Sequence, residues 1–190
     1  MNLGFMKDMS MSDLIVLVDE SDREVGTKDR LATHVDGALH RAVSVYVFNS
    51  VERLLLTRRA ACKYHSGGLW TNTCCTHPKP GESTQDAARR CLRKEVGIDC
   101  EITSAFHFIY RAELANGLTE HELDHVFVAT YDIDPNLDPN ESDAYEWVDP
   151  QELSRDIEAH PEKYTAWLPL SLNRAIEVQR ARRTAVEAPQ

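Results

Sequence analysis

The stretch THPKPGESTQDAARRCLRKEVGI, residues 76–98, decides the fold of this 190-residue chain. Its second half predicts a helix over residues 83–96, because Ser83 is a favourable N-cap, Asp86 falls in the first turn and Gly97 follows the last turn. The apolar residues recur at helical spacing: Ala87, Ala88, Cys91, Leu92 and Val96. One face of this helix should therefore pack on a sheet while the charged face meets water.

Runs rich in β-branched and aromatic residues lie on both sides of this helix and predict strands. They are residues 14–20, 40–50, 53–60, 104–114, 121–133 and 143–148. Residues 40–50 and 53–60 predict a hairpin, and the turn ANGLT, residues 115–119, joins the next two strands. A further helix is expected after Asp149, and a last one over residues 168–186. The fold class is α/β or α+β, with a mixed sheet flanked by helices.

The size and composition favour one folded domain. A chain of 190 residues, 42% of them hydrophobic, can bury one core, so we expect a flexible tail at 1–12, a single domain at 13–178 and a polar tail at 179–190. The first ten residues lack the features of a signal peptide, and no apolar run reaches the length of a membrane span. Five cysteines without a dense framework favour a reducing compartment, so a cytoplasmic protein is expected.

The formal net charge of -10 limits the classes of partner. Nucleic-acid binding needs clustered positive charge, and no stripe of lysine or arginine is present. A small phosphorylated molecule remains compatible, because two or three local cations can bind it within an acidic protein. The expected partner is a small molecule, with neither nucleic acid nor membrane, and the sequence leaves monomer and homodimer open.

The spacing in residues 76–98 resembles the Nudix box, which runs glycine, five residues, glutamate, seven residues, then Arg-Glu-apolar-x-Glu-Glu-x-Gly-apolar. The matching residues are Glu82, Arg90, Leu92, Glu95, Gly97 and Ile98. Thr76 replaces the first glycine, Cys91 the glutamate after the arginine, and Lys94 the first of the paired glutamates. The resemblance implies a Nudix-type fold. A Nudix hydrolase holds divalent ions with clustered carboxylates, and two of those carboxylates are missing here.

The segment WTNTCCTHP, residues 70–78, immediately precedes this box and resembles the signature of type 1 isopentenyl-diphosphate Δ-isomerases, a family within the Nudix superfamily. The shared positions are Trp70, Thr71, Asn72, Cys75, His77 and Pro78. The resemblance extends from Gly26 to Trp167 and implies an isomerase of isoprenoid biosynthesis that interconverts isopentenyl and dimethylallyl diphosphate. This reaction adds a proton to one carbon and removes one two carbons away, so it needs an acid, a base and a wall that tolerates a carbocation.

The resemblance assigns four catalytic positions. Cys75, and not the adjacent Cys74, takes the position of the reactive thiol, and Glu122 that of the opposing carboxylate. The sequence does not decide which of the two gives the first proton. Trp167 matches a pocket tryptophan whose ring can stabilise a cation by roughly 0.5–2 kcal/mol, and Tyr110 matches a tyrosine near Glu122. A buried core residue is the alternative for Cys75, Trp167 and Tyr110.

The candidate ligands for one divalent metal ion are His34, His40, His77, Glu120 and Glu122. Glu120 and Glu122 alternate on an extended segment and should point to one face, with His121 pointing away. His34 and His40 flank what we expect to be a short loop, HVDGALH. Three nitrogens and two carboxylates suit Mn²⁺, Mg²⁺ or a high-coordination Zn²⁺. His65, His107, His121, His125 and His160 have no matching position in the motif.

The diphosphate requires positive charge, and the resemblance assigns it to Arg59 and Lys63, with either Lys28 or Arg30 as a third contact. Glu95 would hold a Mg²⁺ ion that arrives with the diphosphate. Two other functions remain open. A Nudix hydrolase would release phosphate or diphosphate, and a silent Nudix-like binding module would not need a proton donor and acceptor.

Overall fold

The computed structural model describes residues 13–187. The strands are β1 (Leu14–Val18), β2 (Glu24–Asp29), β3 (His40–Phe48), β4 (Leu54–Arg59), β5 (Trp70–Thr71), β6 (Cys74–Thr76), β7 (Ile102–Glu113), β8 (Thr119–Thr130) and β9 (Ser142–Val148). The helices are α1 (Arg30–Asp36), α2 (Thr84–Cys91), α3 (Pro150–Ala159) and α4 (Leu168–Glu187). Short 3-10 turns cover Ala115–Gly117 and Pro161–Lys163, and a π-turn covers Leu92–Val96.

Strand β3 is the centre of a mixed sheet. It runs parallel to β8 along its whole length, from the pair His40 and Glu122 to the pair Phe48 and Thr130. Its other edge pairs antiparallel with β1, β6 and β4 in turn. Beyond these neighbours, β7 pairs with β8, β9 and β5 pair with β4, and β2 pairs with β1, all antiparallel. The predicted mixed sheet is confirmed.

Both faces of the sheet are covered by helices, which explains why β3 is apolar on both sides. Val43, Val45 and Val47 face α2 and the following π-turn in one core cluster. Tyr46 and Phe48 face α3 and α4 in a second cluster. The predicted arrangement of a sheet flanked by helices is therefore confirmed.

The helix predicted at 83–96 is present and begins as expected. The Ser83 hydroxyl accepts a hydrogen bond from the Asp86 amide at 3.1 Å, and Gly97 ends the helix with a φ of 67°. Its last five residues form a π-turn, a feature that often occurs at functional sites. Glu95 lies in this turn.

Two elements before β3 are absent from the sequence-based expectations. Strand β2 leads directly into α1, where the Asp29 carboxylate accepts from the Ala32 amide at 3.0 Å and Gly37 closes the helix with a φ of 62°. The expected loop from His34 to His40 is therefore wrong in part, because His34 lies in the last turn of a capped helix. Seven residues are too few to show helical periodicity clearly.

The helix expected at 168–186 is present as α4, which continues to Glu187, inside the expected polar tail at 179–190. Gln179 is buried and its amide donates to the Thr130 hydroxyl at 2.9 Å, which holds the helix on β8. The predicted tail at 1–12 lies outside the described residues. Among residues 13–187, none of the helices has the length and apolar character required to cross a membrane.

Candidate active site

The parallel register of β3 and β8 brings together five possible metal ligands. His40 begins β3 directly opposite Glu122 on β8, with Glu120 two residues earlier on the same strand. His34 comes from the last turn of α1, and His77 follows β6. One nitrogen or oxygen atom from each side chain lies within 4.8 Å of all the others.

Two of the histidines are held in the orientation that binds metals. His34 Nδ1 donates to the Arg30 carbonyl at 2.6 Å, and His40 Nδ1 donates to the Ala38 carbonyl at 2.9 Å. A carbonyl can only accept, so each Nδ1 carries a proton and each Nε2 faces the cluster, where it can bind a metal ion once it is unprotonated. Burial alone would lower the pKa of His34, but the Glu120 carboxylate outweighs the effect of burial and raises this pKa. Burial lowers the pKa of His77 to about 4, so the His77 imidazole is neutral at neutral pH.

The centre of the cluster contains buried polar atoms that lack partners. His34 Nε2, His40 Nε2 and Glu120 Oε2 are buried without a hydrogen bond, although His34 Nε2 lies 3.1 Å from Glu120 Oε2. Burial and the charge of Glu122 raise the pKa of Glu120. A cation bound here would satisfy the lone pairs and offset the repulsion between the carboxylates. The donor set therefore fits a divalent metal ion.

His121 lies on the opposite side of β8 from the two glutamates. Its Nδ1 is 3.0 Å from the Gly37 carbonyl oxygen, to which it donates. The prediction that His121 points away from the cluster is confirmed.

Glu122 uses its two carboxylate oxygens differently. Oε1 lies 3.0 Å from His77 Nε2 and 3.6 Å from His40 Nε2, whereas Oε2 accepts a hydrogen bond from the Tyr110 hydroxyl at 2.7 Å. Tyr110 is the direct cross-strand partner of Glu122 on β7. Burial alone would raise the pKa of Glu122, but the contacts from His40 and His77 outweigh it and hold the pKa well below its usual range.

Cys75 lies opposite Ser44 in the pairing of β6 with β3. Its thiol donates to Asn72 Oδ1 at 3.0 Å and lies 3.5 Å from the Ser44 hydroxyl. Burial, with the nearby Asp124 carboxyl, raises the pKa of the Cys75 thiol. The sulfur therefore carries a proton at neutral pH, and it lines the same cavity as Glu122.

Trp167 forms another wall of this cavity and is fixed by two hydrogen bonds. The indole Nε1 donates to Thr71 Oγ1 at 3.0 Å and to Asn72 Oδ1 at 3.1 Å. The side chain is only 4% exposed, so the ring has little freedom to reorient.

Several cations line the cavity, in spite of the net negative charge of the chain. The predicted diphosphate contacts Arg30, Arg59 and Lys63 are among its lining residues. Arg59 Nε is buried without a hydrogen bond, which suits an incoming anion. Lys28, the alternative to Arg30, instead pairs with Asp36.

Glu95 also lines the cavity, next to an acidic residue that sequence reasoning did not single out. Burial and the charge of Glu141 raise the pKa of Glu95 to about 7. Glu141 itself pairs with Lys63, and with Lys94 Nζ at 2.5 Å. Lys94, which replaces a Nudix-box glutamate, is therefore bound to a carboxylate on another segment.

Three further residues contribute to the site although no predicted role was assigned to them. Asn72 belongs to the motif at residues 70–78, but the motif alone does not show its contacts with Cys75 and Trp167. Asp124 is fully buried, and its Oδ2 accepts from the Ser44 hydroxyl at 2.7 Å; its position two residues after Glu122 is the only signal in the sequence. His65 has no motif position, yet its Nε2 lies 3.3 Å from Glu120 Oε1.

Comparison with known proteins identifies the fold. Residues 38–168 match the family model of the NUDIX domain. A solved structure of the protein DR0079 from Deinococcus radiodurans covers 85% of this chain and 98% of its own, with a TM-score of 0.72 and 23% identity, and so shares the fold. The fold and the box helix define a Nudix-domain protein.

Closer relatives narrow the assignment. "Isopentenyl-diphosphate Delta-isomerase 2" of Aromatoleum aromaticum is 54% identical over 166 residues, 87% of this chain and 88% of the relative. "Isopentenyl-diphosphate Delta-isomerase 1" of the same organism is 48% identical, over 93% of this chain and 99% of its own. The chain belongs to the isopentenyl-diphosphate Delta-isomerase family.

Proposed function

We propose that this chain interconverts isopentenyl diphosphate and dimethylallyl diphosphate. The observation that carries the proposal is that a protonated thiol, Cys75, and an ionised carboxylate, Glu122, line one cavity together with a buried tryptophan. One group gives a proton to a carbon of the double bond, and the other takes a proton from the carbon two positions away. The double bond moves, no other atom is gained or lost, and the two groups exchange roles when the reaction runs in reverse.

Tyr110 would assist at the carboxylate. Its hydroxyl donates to Glu122 Oε2 at 2.7 Å, so it holds the oxygen that faces away from the histidines. The tyrosine can pass a proton along this hydrogen bond or fix the carboxylate for direct transfer. In both cases it acts on the base and not on the diphosphate.

Trp167 would stabilise the positive charge that develops when the alkene is protonated. The face of an indole attracts a cation by roughly 0.5–2 kcal/mol and does not itself remove a proton. The hydrogen bonds to Thr71 and Asn72 keep the ring in place. The same wall excludes water, which would otherwise capture the cation.

One divalent ion, Mn²⁺, Zn²⁺ or Mg²⁺, would be held by the five converging ligands His34, His40, His77, Glu120 and Glu122. When bound, this ion supplies positive charge that organises the pocket and polarises the Glu122 carboxylate. His34 and His40 would each present Nε2 to the ion, because their Nδ1 protons are bound to backbone carbonyls.

The diphosphate would be bound at the cationic side of the cavity by Arg30, Arg59 and Lys63. Arg30 is preferred to Lys28 because Arg30 lines the cavity, whereas Lys28 pairs with Asp36. Glu95 would hold the Mg²⁺ that accompanies the diphosphate. A small charged substrate and five free thiols agree with a cytoplasmic enzyme.

Hydrolysis is the competing activity for a Nudix domain, and the box argues against it. Cys91 occupies a glutamate position but is buried in the core between α2 and the sheet. Lys94 occupies a second glutamate position of the box and pairs with Glu141. Two of the carboxylates that would gather metal ions around a diphosphate are thus replaced by a buried thiol and an ammonium.

The proposal is tested by incubating the purified full-length chain with isopentenyl diphosphate, Mg²⁺ and Mn²⁺ and separating the products. Dimethylallyl diphosphate without free phosphate supports the isomerase. Phosphate or diphosphate without the isomer supports the hydrolase. Unchanged substrate in a folded, metal-replete sample supports a silent binding module.

A further inference from the structure

His65 is a buried imidazole at the edge of the five-ligand cluster. It lies between β4 and β5, is 8% exposed, and its ring stacks on His34 with centroids 5.6 Å apart. Its Nε2 lies 3.3 Å from Glu120 Oε1. A buried polar ring at this position requires an explanation, because the five-ligand set does not use it.

The two carboxylates of the cluster are arranged in the same way. Each directs one oxygen to the histidines: Oε2 of Glu120 to His34 and Oε1 of Glu122 to His77. The second oxygen of each faces another side chain. For Glu122 this partner is the Tyr110 hydroxyl, which donates a hydrogen bond at 2.7 Å, and for Glu120 it is His65 Nε2, which lies 3.3 Å away.

The loop that carries His65 has an unusual backbone, which brings the imidazole to Glu120. Ser66 is a non-glycine residue with a φ of 51°, a left-handed conformation that tends to occur at functional sites. A Cβ atom at Gly67 would lie 2.9 Å from the Ala61 carbonyl oxygen, so the loop packs closely against its own start. Ser66 Oγ lies 3.3 Å from His65 Nδ1, where its hydroxyl can donate and leave the ring proton on Nε2.

We propose that His65 is a positioning residue of the metal site, which fixes Glu120 by holding Oε1, the carboxylate oxygen that does not face His34. His65 has the same role at Glu120 that Tyr110 has at Glu122, which is to hold the second carboxylate oxygen. The inference rests on the proposed metal site. Loss of such an outer partner typically weakens metal affinity 10- to 100-fold.

The test is a Mn²⁺ titration of full-length proteins, with free Mn²⁺ measured by electron paramagnetic resonance. We expect His65→Phe, which keeps a ring but no donor, to bind Mn²⁺ about 10- to 100-fold more weakly than wild type. His65→Gln retains an N–H and should fall between the two. His160→Phe alters an exposed histidine that follows α3 and is outside the five-ligand cluster, and it should bind as wild type does. Thermal unfolding without metal establishes whether each variant is folded. If His65→Phe does not fold, the Mn²⁺ affinity of His65→Gln alone tests the inference.

A double variant separates a positioning residue from a sixth ligand. If His65 acts through Glu120, adding His65→Phe to Glu120→Ala causes no further loss of Mn²⁺ affinity. A further loss overturns the positioning role. Wild-type affinity in both His65 variants, with weaker binding in His34→Ala and Glu120→Ala, overturns the inference alone. Wild-type affinity in all of these variants overturns the proposed metal site and the inference together.

Discussion

Cys75 and Trp167 donate hydrogen bonds to the same atom, Oδ1 of Asn72, at 3.0 and 3.1 Å. The proposed proton carrier and the proposed cation-stabilising ring are thus fixed relative to each other by one buried amide. The Asn72 amide nitrogen in turn donates to the carbonyls of Val45 and Cys74, which secures it to β3 and β6. The positions of the Cys75 thiol and the Trp167 ring therefore both depend on Asn72.

Asn72→Ala should lower kcat by about 10²-fold, because small misplacements of reacting groups have effects of that size. It should also lower the free energy of unfolding by roughly 1–3 kcal/mol through the unpaired carbonyls. Thr73→Ala is the matched control, since Thr73 donates to Leu55 and accepts from Val47 without touching the thiol or the indole. Steady-state kinetics and denaturant unfolding should show similar stability losses but a kcat loss only in the Asn72 variant. Equal kcat values would remove the positioning role of Asn72.

Trp167→Phe should retain more activity than Trp167→Ala, because phenylalanine still presents an aromatic face. The attraction between a cation and a ring corresponds to a difference of roughly 2- to 30-fold in kcat. Both variants lose the hydrogen bonds to Thr71 and Asn72, so the comparison isolates the ring. The measurement is kcat at saturating substrate, and identical values would eliminate the proposed stabilisation of the carbocation.

Cys75→Ala and Glu122→Gln should each lower turnover by at least about 10²-fold, with the fold intact, because each removes one partner of the acid–base pair. Cys74→Ala provides the neighbouring control. Cys74 is buried in the core beside α2, so its loss should reduce stability slightly and leave turnover unchanged. Product formation and circular dichroism spectra of the three variants make the comparison. A Cys75→Ala protein with normal turnover would contradict the proposed role of the thiol.

Arg30→Ala should raise KM for the diphosphate substrate by roughly 10-fold or more, since a hydrogen bond between charged groups contributes about 1.5–3 kcal/mol. Lys28→Ala should leave KM near the wild-type value, because the Lys28 ammonium pairs with Asp36. Lys28 lies near the end of β2 and Arg30 begins α1. The two variants therefore test which of these neighbouring cations contacts the diphosphate. A KM increase confined to Lys28→Ala would assign the contact to the lysine instead.

The affinity for the Mg²⁺-bound substrate should increase between pH 6 and pH 8. Burial and Glu141 raise the pKa of Glu95 to about 7, so Glu95 is mostly neutral at pH 6 and mostly ionised at pH 8. Only the ionised form binds Mg²⁺, which corresponds to an approximately tenfold fall in KM over this interval. Glu95→Gln should have a higher KM without this component of the pH dependence. A wild-type KM that stays constant from pH 6 to pH 8 would show that Glu95 does not hold the ion.

The sequence predicted the parts of the fold that depend on local patterns. The Ser83 cap, the apolar spacing and Gly97 defined the box helix, and the alternation along β8 placed Glu120 and Glu122 on one face with His121 on the other. These features follow from the periods of helices and strands. The resemblance to the family supplied the candidate ligands, of which the register of β3 and β8 brings His40, Glu120 and Glu122 together.

The remaining features depend on contacts between distant segments. Helix α1 is short, so its pattern did not show that His34 lies on a helix or that Arg30, and not Lys28, lines the cavity. His65 approaches Glu120 from the turn between β4 and β5, where Ser66 has a φ of 51°. The ion pair of Lys94 with Glu141 likewise joins the box helix to a segment almost 50 residues later. No local pattern encodes these contacts.

The central claim is that a proton is added to one carbon and removed from another within this cavity. The most direct measurement is incubation of the full-length protein with isopentenyl diphosphate, Mg²⁺ and Mn²⁺ in deuterated water, followed by NMR of the products. We expect deuterium-bearing dimethylallyl diphosphate from the wild-type protein and none from Cys75→Ala. Released phosphate or diphosphate without the isomer, or substrate that stays unchanged and unlabelled, would contradict the proposed isomerase.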